Sequence, residues 1–245
     1  MVFNYLITGS NRGLGFEIAN LAYQDGNNVI GHARNIEKLN ISSLKKILKL
    51  NITAELKNYD ETFKNFNSIS TAGHTVKTLV CNAGKSSYSN NDLKFLDDAE
   101  NALSENFFVT LNTIKACINA DLGIENIICI SSICGTEEIR GAPVAYSFAK
   151  ASLNSFVKMS AVYFAKKNIR INVISPGNLL FEGSVWQKKL DKDPLIVDGM
   201  LKENVALARF GIPENIYKAI KYLANDATFT TGSNLIIDGG QVNKW

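Results

Sequence analysis

Short apolar runs alternate along this chain with longer segments whose apolar residues return every three or four positions, the period of one helix face. Val2, Phe3, Tyr5, Leu6 and Ile7 make the first run, and Leu14, Ile18, Leu21 and Ala22 then fall on one side of a helix. A second strand begins at Val29-Ile30 and ends near Ala33-Arg34. Ile41, Leu44, Ile47 and Leu48 mark a helix, and residues 52–56 a short strand. The pattern continues with a helix at 62–69, a strand at 76–81, a long helix at 99–120 and a strand at 127–130. A second long helix at 144–165, a strand at 169–174, a helix from Pro213 to Leu223 and a strand at 235–237 complete it.

Strands alternating with helices imply βαβ units and a parallel sheet covered on both faces. Right-handed crossovers then favour an α/β fold with one doubly wound, Rossmann-type sheet of about seven strands. No linker rich in Pro, Gly or Ser divides the chain, so residues 1–245 are expected to be a single domain. Residues 178–208 stand apart: they are long and strandless, as functional loops are, and read as a helical substrate loop. Ligands of such sheets bind outside the carboxyl ends of the strands. That rule gathers five segments at one rim: residues 9–15, those after Ala33, Asn82-Ala83-Gly84, Ser131-Ser132, and Pro176-Gly177 with the loop beyond.

Composition narrows the partners. An apolar content of 46% and a charged content of 20% fit a globular chain with a full core, and a net charge of +3 is too small to point to nucleic acid. No apolar run approaches the ~20 residues of a membrane span. The first apolar stretch runs straight into a glycine turn, so it is expected to be a core strand and not a signal peptide. Cys81, Cys117, Cys129 and Cys134 form no Cys-x-x-Cys pair and sit in apolar or helical contexts. Buried free thiols in the cytoplasm are therefore expected, with no metal site.

The residues that carry chemistry fall at the rim. Thr8 to Gly15 reads Thr-Gly-Ser-Asn-Arg-Gly-Leu-Gly between a strand and a helix, an arrangement that sets backbone N–H groups and a helix N-terminus against a pyrophosphate. Its spacing, Gly-x-x-x-Gly-x-Gly, differs from the usual dinucleotide fingerprint. Tyr146 and Lys150 project from one face of the helix at 144–165. The same spacing recurs at Tyr163–Lys167 and Tyr217–Lys221, but only Tyr146 sits at the helix end that faces the rim. The other two pairs read as packed rings with snorkelling ammoniums.

Taken in order, Thr8-Gly9-x-x-x-Gly13-x-Gly15, Asn82-Ala83-Gly84, Asn106, Ser132-x-x-Gly135, Tyr146-x-x-x-Lys150, Ser175-Pro176-Gly177 and Asp238-Gly239-Gly240 resemble the short-chain dehydrogenase/reductase family over essentially the whole chain. The resemblance implies hydride transfer between a nicotinamide and a carbonyl or secondary alcohol carbon. It makes Tyr146 the general acid/base, with a phenol pKa of about 10 that a neighbouring Lys150 ammonium would lower. It gives Lys150 the nicotinamide ribose as well, Ser132 the substrate oxygen, and Asn106 a water that relays protons from Lys150. From Ser132 to Tyr146 is one residue longer than the commonest family spacing, which keeps Ser131 as a second candidate. The family often has a Thr after the Pro-Gly; Phe181 stands near that position, leaving Asn178, Ser184 or a backbone group to meet the carboxamide.

The cofactor grip implied by the resemblance comprises Gly9, Asn11, Arg12, Gly13, Leu14, Gly15, Arg34, Asn58, Asn82, Ala83, Gly84, Tyr146, Lys150, Pro176 and Gly177, with Asn58 near the adenine. The second strand ends Gly31-His32-Ala33-Arg34, with no acid to hold a ribose 2′-hydroxyl. Arg34 and Arg12 suit a 2′-phosphate, so NADP(H) is favoured over NAD(H). Among relatives the general character is that of 3-oxoacyl-acyl-carrier-protein reductases, and a 3-oxoacyl thioester or a sugar derivative is the expected small-molecule substrate. Trp186 suits either a sugar ring or an acyl chain. The apolar helical part of the substrate loop is open to two readings, lid or interface. The resemblance also implies a homo-oligomer, tetramer or dimer, built on the two long helices and the last strand. A reading from another class is a catalytically silent NADP(H)-binding sensor or scaffold.

Overall fold

The computed structural model describes residues 1–34, 48–86, 88–89 and 92–242. Among them seven strands form one sheet: β1 (Val2–Thr8), β2 (Val29–Ala33), β3 (Leu50–Thr53), β4 (Thr75–Cys81), β5 (Asn126–Ile130), β6 (Arg170–Pro176) and β7 (Asn234–Ile237). Their order is β3-β2-β1-β4-β5-β6-β7, and every neighbouring pair is parallel. The described helices are α1 (Gly13–Gln24), α2 (Tyr59–Thr71), α3 (Phe95–Leu103), α4 (Val109–Asn119), α5 (Val144–Ala165), α6 (Val185–Lys192), α7 (Pro194–Asn204) and α8 (Pro213–Lys221). The helix expected around Ile41–Leu48 lies, except for Leu48, outside the described residues.

Strand alternation divides the core in two. Leu6, Leu79, Ile127 and Cys129 face one side with Phe66, Ile114, Leu153 and Val157, which belong to α2, α4 and α5. Ile7, Val80, Ile128 and Ile130 face the other with Ile18, Ile216 and Ile220 of α1 and α8. Successive side chains of a strand point to opposite faces, so runs apolar at every position belong in a sheet covered on both sides. The order reverses between β1 and β4, and the crevice at their carboxyl ends is the place such folds use for ligands.

Two expectations shift. The long helix expected at 99–120 begins at Phe95 and is broken by a π-helical turn, Ser104–Phe108, with Asn106 at its centre. Asn106 Nδ2 donates back to the Ala102 carbonyl at 3.1 Å, the sort of local bond that makes Asn a poor helix former. The short strand expected at 52–56 runs instead from Leu50 to Thr53, where β3 pairs with Ile30–Ala33. The substrate loop contains α6 and α7, capped by Ser184 and Asp193. Val197, Leu201 and Val205 bury there against Trp186, Leu190, Met200 and Phe210 as a small core of their own.

Candidate active site

Thr8, at the end of β1, ties two rim segments together. Its Oγ1 accepts from the N–H groups of Asn82 and Ala83, both at 3.0 Å, and Asn82 Nδ2 donates to the Thr8 carbonyl at 3.0 Å. The Asn82 side chain thus fixes the glycine turn to the end of β4. Gly9 and Gly13 have φ of +68° and +58°, a region open mainly to glycine. A Cβ on Gly15 would collide with the Gly9 carbonyl and Asn82 Nδ2.

Behind the turn lies His32, a residue the sequence reading passed over. It is buried; the Gly9 N–H donates to Nδ1 at 3.4 Å, which leaves Nε2 to donate to the Ala54 carbonyl at 3.0 Å. Burial pushes its pKa down to about 4, so the ring is a neutral strut beneath the glycine turn. Its only sequence signal was a polar residue inside a fully buried strand.

Asn11 and Leu14 complete the turn, with Leu14 packed on the α1–α8 side of the core. The helix α1 begins after Arg12, whose side chain makes no cap, and its first turn holds no acid. Arg12 and Arg34 are both exposed. Asn58, expected near the adenine, caps α2, its side-chain oxygen accepting from the Glu61 N–H at 3.1 Å.

At the end of β5 the two serines separate. Ser131 is buried and donates to the Lys150 carbonyl at 3.3 Å. Ser132 accepts from the Cys134 N–H at 3.2 Å and stands close enough to the Tyr146 hydroxyl to favour its charged form. Gly135 brings this turn against α5, since a Cβ there would stand 2.6 Å from the Lys150 carbonyl carbon. Lys150 is only 4% exposed; its Nζ donates to the Ile130 carbonyl at 2.9 Å and lies 5.6 Å from the centre of the Tyr146 ring.

These surroundings correct the expected electrostatics. Burial pushes the Tyr146 phenol above its ordinary range, and the nearby Ser132 hydroxyl offsets only part of this. Burial pushes the Lys150 ammonium down to about 8. The lysine's proton is turned to a backbone carbonyl, so desolvation governs both groups and Tyr146 rests as a neutral phenol.

Of the other Tyr–Lys pairs, one is a structural clasp and the other has no packed ring. Tyr217 is buried and donates to Asp25 at 3.0 Å, and Lys221 pairs with the same carboxylate at 2.7 Å. Tyr163 is exposed. Gly177 extends the rim beyond Pro176, its N–H donating to the Ile237 carbonyl at 2.9 Å beside the turn that Asp238 closes onto Gly240 and Val242.

Of the residues considered for the carboxamide, the Asn178 N–H donates to Gln241 Oε1 at 3.1 Å and Ser184 caps α6. Phe181 lies over the glycine turn, its Cε2 at 3.4 Å from where a Gly13 Cβ would be. Trp186 packs on Phe210 with ring centres 5.4 Å apart.

A seven-stranded parallel sheet with a glycine turn at its switch point defines a doubly wound nucleotide-binding class of protein. The family model described as enoyl-(acyl carrier protein) reductase matches residues 9–241. The chain belongs to the short-chain dehydrogenase/reductase family. It is 32% identical to a 3-oxoacyl-[acyl-carrier-protein] reductase FabG of Rickettsia conorii over 97% of this chain and 95% of that protein. A FabG of Buchnera aphidicola is 30% identical over 96% of this chain and 95% of its own length. Among solved structures, ElxO with NADP bound superposes with a TM-score of 0.86 at 26% identity, covering 100% of both chains. The L-sorbose reductase of Gluconobacter frateurii, complexed with NADPH and L-sorbose, shares the fold with a TM-score of 0.86 at 24% identity over 99% of this chain and 97% of that one.

Proposed function

We propose that this protein is an NADPH-dependent reductase of carbonyl groups, with a 3-oxoacyl thioester as its substrate class. The observation that carries the reading is the meeting of Ser132, Tyr146 and Lys150 at the end of β5, on the same rim as the glycine turn. The thioester class follows the names of full-length curated relatives at 30% identity and above.

The residues present fit a dinucleotide. Gly9 and Gly13 leave the turn without side chains, Gly15 lets it approach β4, and the first turn of α1 offers N–H groups with no side-chain cap or acid against them. Arg12 and Arg34, both exposed, supply the guanidiniums that would recognise a 2′-phosphate. Bound there, the nicotinamide supplies the hydride. Ser132 positions the substrate oxygen, and Tyr146, neutral at rest, donates the proton to it as negative charge develops. Lys150 holds the ribose and restores the tyrosine's proton, with Asn106 beside it.

The exposed apolar residues Phe108, Phe148 and Met159 near and on α5, and Phe229 and Ile236 about β7, are the surfaces of a homo-oligomer in this reading. Other apolar residues of the two long helices, Ile114, Leu153 and Val157, are buried within the subunit. Among the described residues no helix is long and apolar enough to cross a membrane. The buried free thiols Cys81, Cys117 and Cys129 support a cytoplasmic setting.

The test is NADPH oxidation with acetoacetyl-coenzyme A by the wild-type protein and Tyr146→Phe. Loss of the phenol proton should lower kcat roughly a hundredfold or more while NADPH still binds. A Tyr146→Phe protein that reduces the thioester as fast as wild type would overturn the assignment. Tight NADPH binding with no turnover of any carbonyl would favour the silent sensor.

A further inference from the structure

Tyr88 lies outside every motif that defined the rim, between β4 and α3, yet it is bonded to a site residue. Its hydroxyl accepts from Asn106 Nδ2 at 3.0 Å and donates to Glu105 Oε2 at 2.9 Å. The rest of the Asn106 amide is also engaged: Nδ2 donates to the Ala102 carbonyl and Oδ1 accepts from the Lys85 N–H, both at 3.1 Å.

The direction of this chain of bonds is dictated. An ionised carboxylate only accepts, so Tyr88 must donate to Glu105 and present its lone pairs to the Asn106 NH2. The amide oxygen is then left facing the Lys85 N–H. Burial raises the Glu105 carboxyl pKa, but the Tyr88 bond and the ammoniums of Lys57 and Lys85, at 3.4 and 3.5 Å, outweigh it and keep the group ionised. Burial, and then the Glu105 bond, hold the Tyr88 phenol in its neutral form. The charged groups around it are Glu105, Asp98 and the Lys85 ammonium, 5.2 Å from its ring centre, with Lys57 beyond.

This clasp borders the reaction centre. A Cβ built on Gly84 would stand 2.7 Å from Asn106 Oδ1 and 3.7 Å from Lys150 Nζ, so the amide and the ammonium flank the same gap at Gly84. On the other side, Tyr88 and Glu105 line an open polar cavity of about 600 Å³ with Lys85, Asp98 and Asn101.

We propose that Tyr88, anchored by Glu105, is a positioning residue that holds the Asn106 amide in place and thereby steadies the Gly84–Lys85 rim beside Lys150. The inference rests on the reading of Tyr146 and Lys150 as the acid–base pair. The Ala102 carbonyl, which only accepts, and the Lys85 N–H, which only donates, already select this orientation of the amide, and a flip would lose both bonds. The Tyr88–Glu105 pair selects the same orientation and takes the remaining N–H of the amide, so the side chain is held from the cavity side as well as by the backbone.

The experiment compares Tyr88→Phe, Glu105→Gln and Tyr146→Phe with wild type. The first readout is hydrogen exchange of the Asn106 side-chain NH2 by NMR, assigned by its absence from Asn106→Asp. In Tyr88→Phe this exchange should speed up about tenfold, with backbone exchange of β4 and β5 unchanged. Glu105→Gln keeps an acceptor for Tyr88 and should stay within about threefold of wild type. The second readout is NADPH-dependent reduction of acetoacetyl-coenzyme A: Tyr88→Phe should lower kcat about tenfold at an unchanged KM for NADPH and move the alkaline limb of its pH profile.

Unchanged Asn106 exchange in Tyr88→Phe overturns the inference, as does faster exchange spread evenly over the sheet. Full kcat in Tyr88→Phe beside an inactive Tyr146→Phe overturns it while leaving the proposed function standing. An active Tyr146→Phe overturns the proposed function and this inference with it.

Discussion

Replacing Gly15 by alanine tests the geometry of the rim with a single methyl group. The new Cβ would meet the Gly9 carbonyl and Asn82 Nδ2 at distances Cβ atoms do not tolerate. Neither neighbour is a free chain end. The carbonyl belongs to a residue at φ +68°, and Asn82 Nδ2 is bonded to the Thr8 carbonyl at 3.0 Å. Relief requires the glycine turn and the end of β4 to move apart, at a cost of about 1–3 kcal/mol, the range for overpacking a close-packed site. For a chain of this size that lowers Tm by roughly 3–10 °C. The same movement shifts the first N–H groups of α1, and misplacing a phosphate grip by the equivalent of ~1.4 kcal/mol weakens binding about tenfold.

Gly199→Ala is the control. It lies within α7, nothing stands within 4 Å of its added Cβ, and alanine there should stabilise by about 0.5–1 kcal/mol. Urea unfolding and NADPH titration of both variants read the two signs. A Gly15→Ala protein as stable as wild type, binding NADPH equally well, would refute the close approach of the glycine turn to the end of β4.

Lys150→Met should make the protein more stable near neutral pH while abolishing turnover. Burial holds the Lys150 pKa at about 8 against an ordinary 10.5, so between those values the folded chain binds fewer protons than the unfolded one and wild-type stability rises with pH. The variant's advantage should therefore shrink as pH rises through that window; urea melts at a series of pH values would show it, and a variant less stable than wild type at neutrality would contradict it. Arg12→Ala combined with Arg34→Ala should weaken NADPH binding by about tenfold or more and NADH binding little. Equal losses in fluorescence titrations with the two cofactors would count against the 2′-phosphate assignment.

The alternation of apolar runs with helical spacing foretold the parallel sheet, and α5 runs from Val144 to Ala165 as its pattern indicated. The motifs were legible because each needs only neighbours in sequence: a glycine turn after β1, a tyrosine one helical turn before a lysine, a serine at a strand end. The family relation followed from their order.

Other features depended on contacts that no local pattern encodes. Whether Ser131 or Ser132 faces Tyr146 turned on the way β5 runs into its 3-10 turn, Ile133–Gly135. Tyr217 and Tyr146 share the same spacing to a lysine, and only the docking of α8 on α1 shows that the first is a clasp for Asp25. The pKa values of Tyr146 and Lys150 also escaped the sequence. Proximity of the two residues suggested mutual stabilisation of charge, whereas burial by distant segments raises one and lowers the other. Sequence thus determined which chemical groups stand at the strand ends, because periodicity and turn chemistry are properties of adjacent residues. Tertiary structure decided which groups face one another and how dry they are, because desolvation and hydrogen-bond direction arise only when segments far apart in the chain close over the same space.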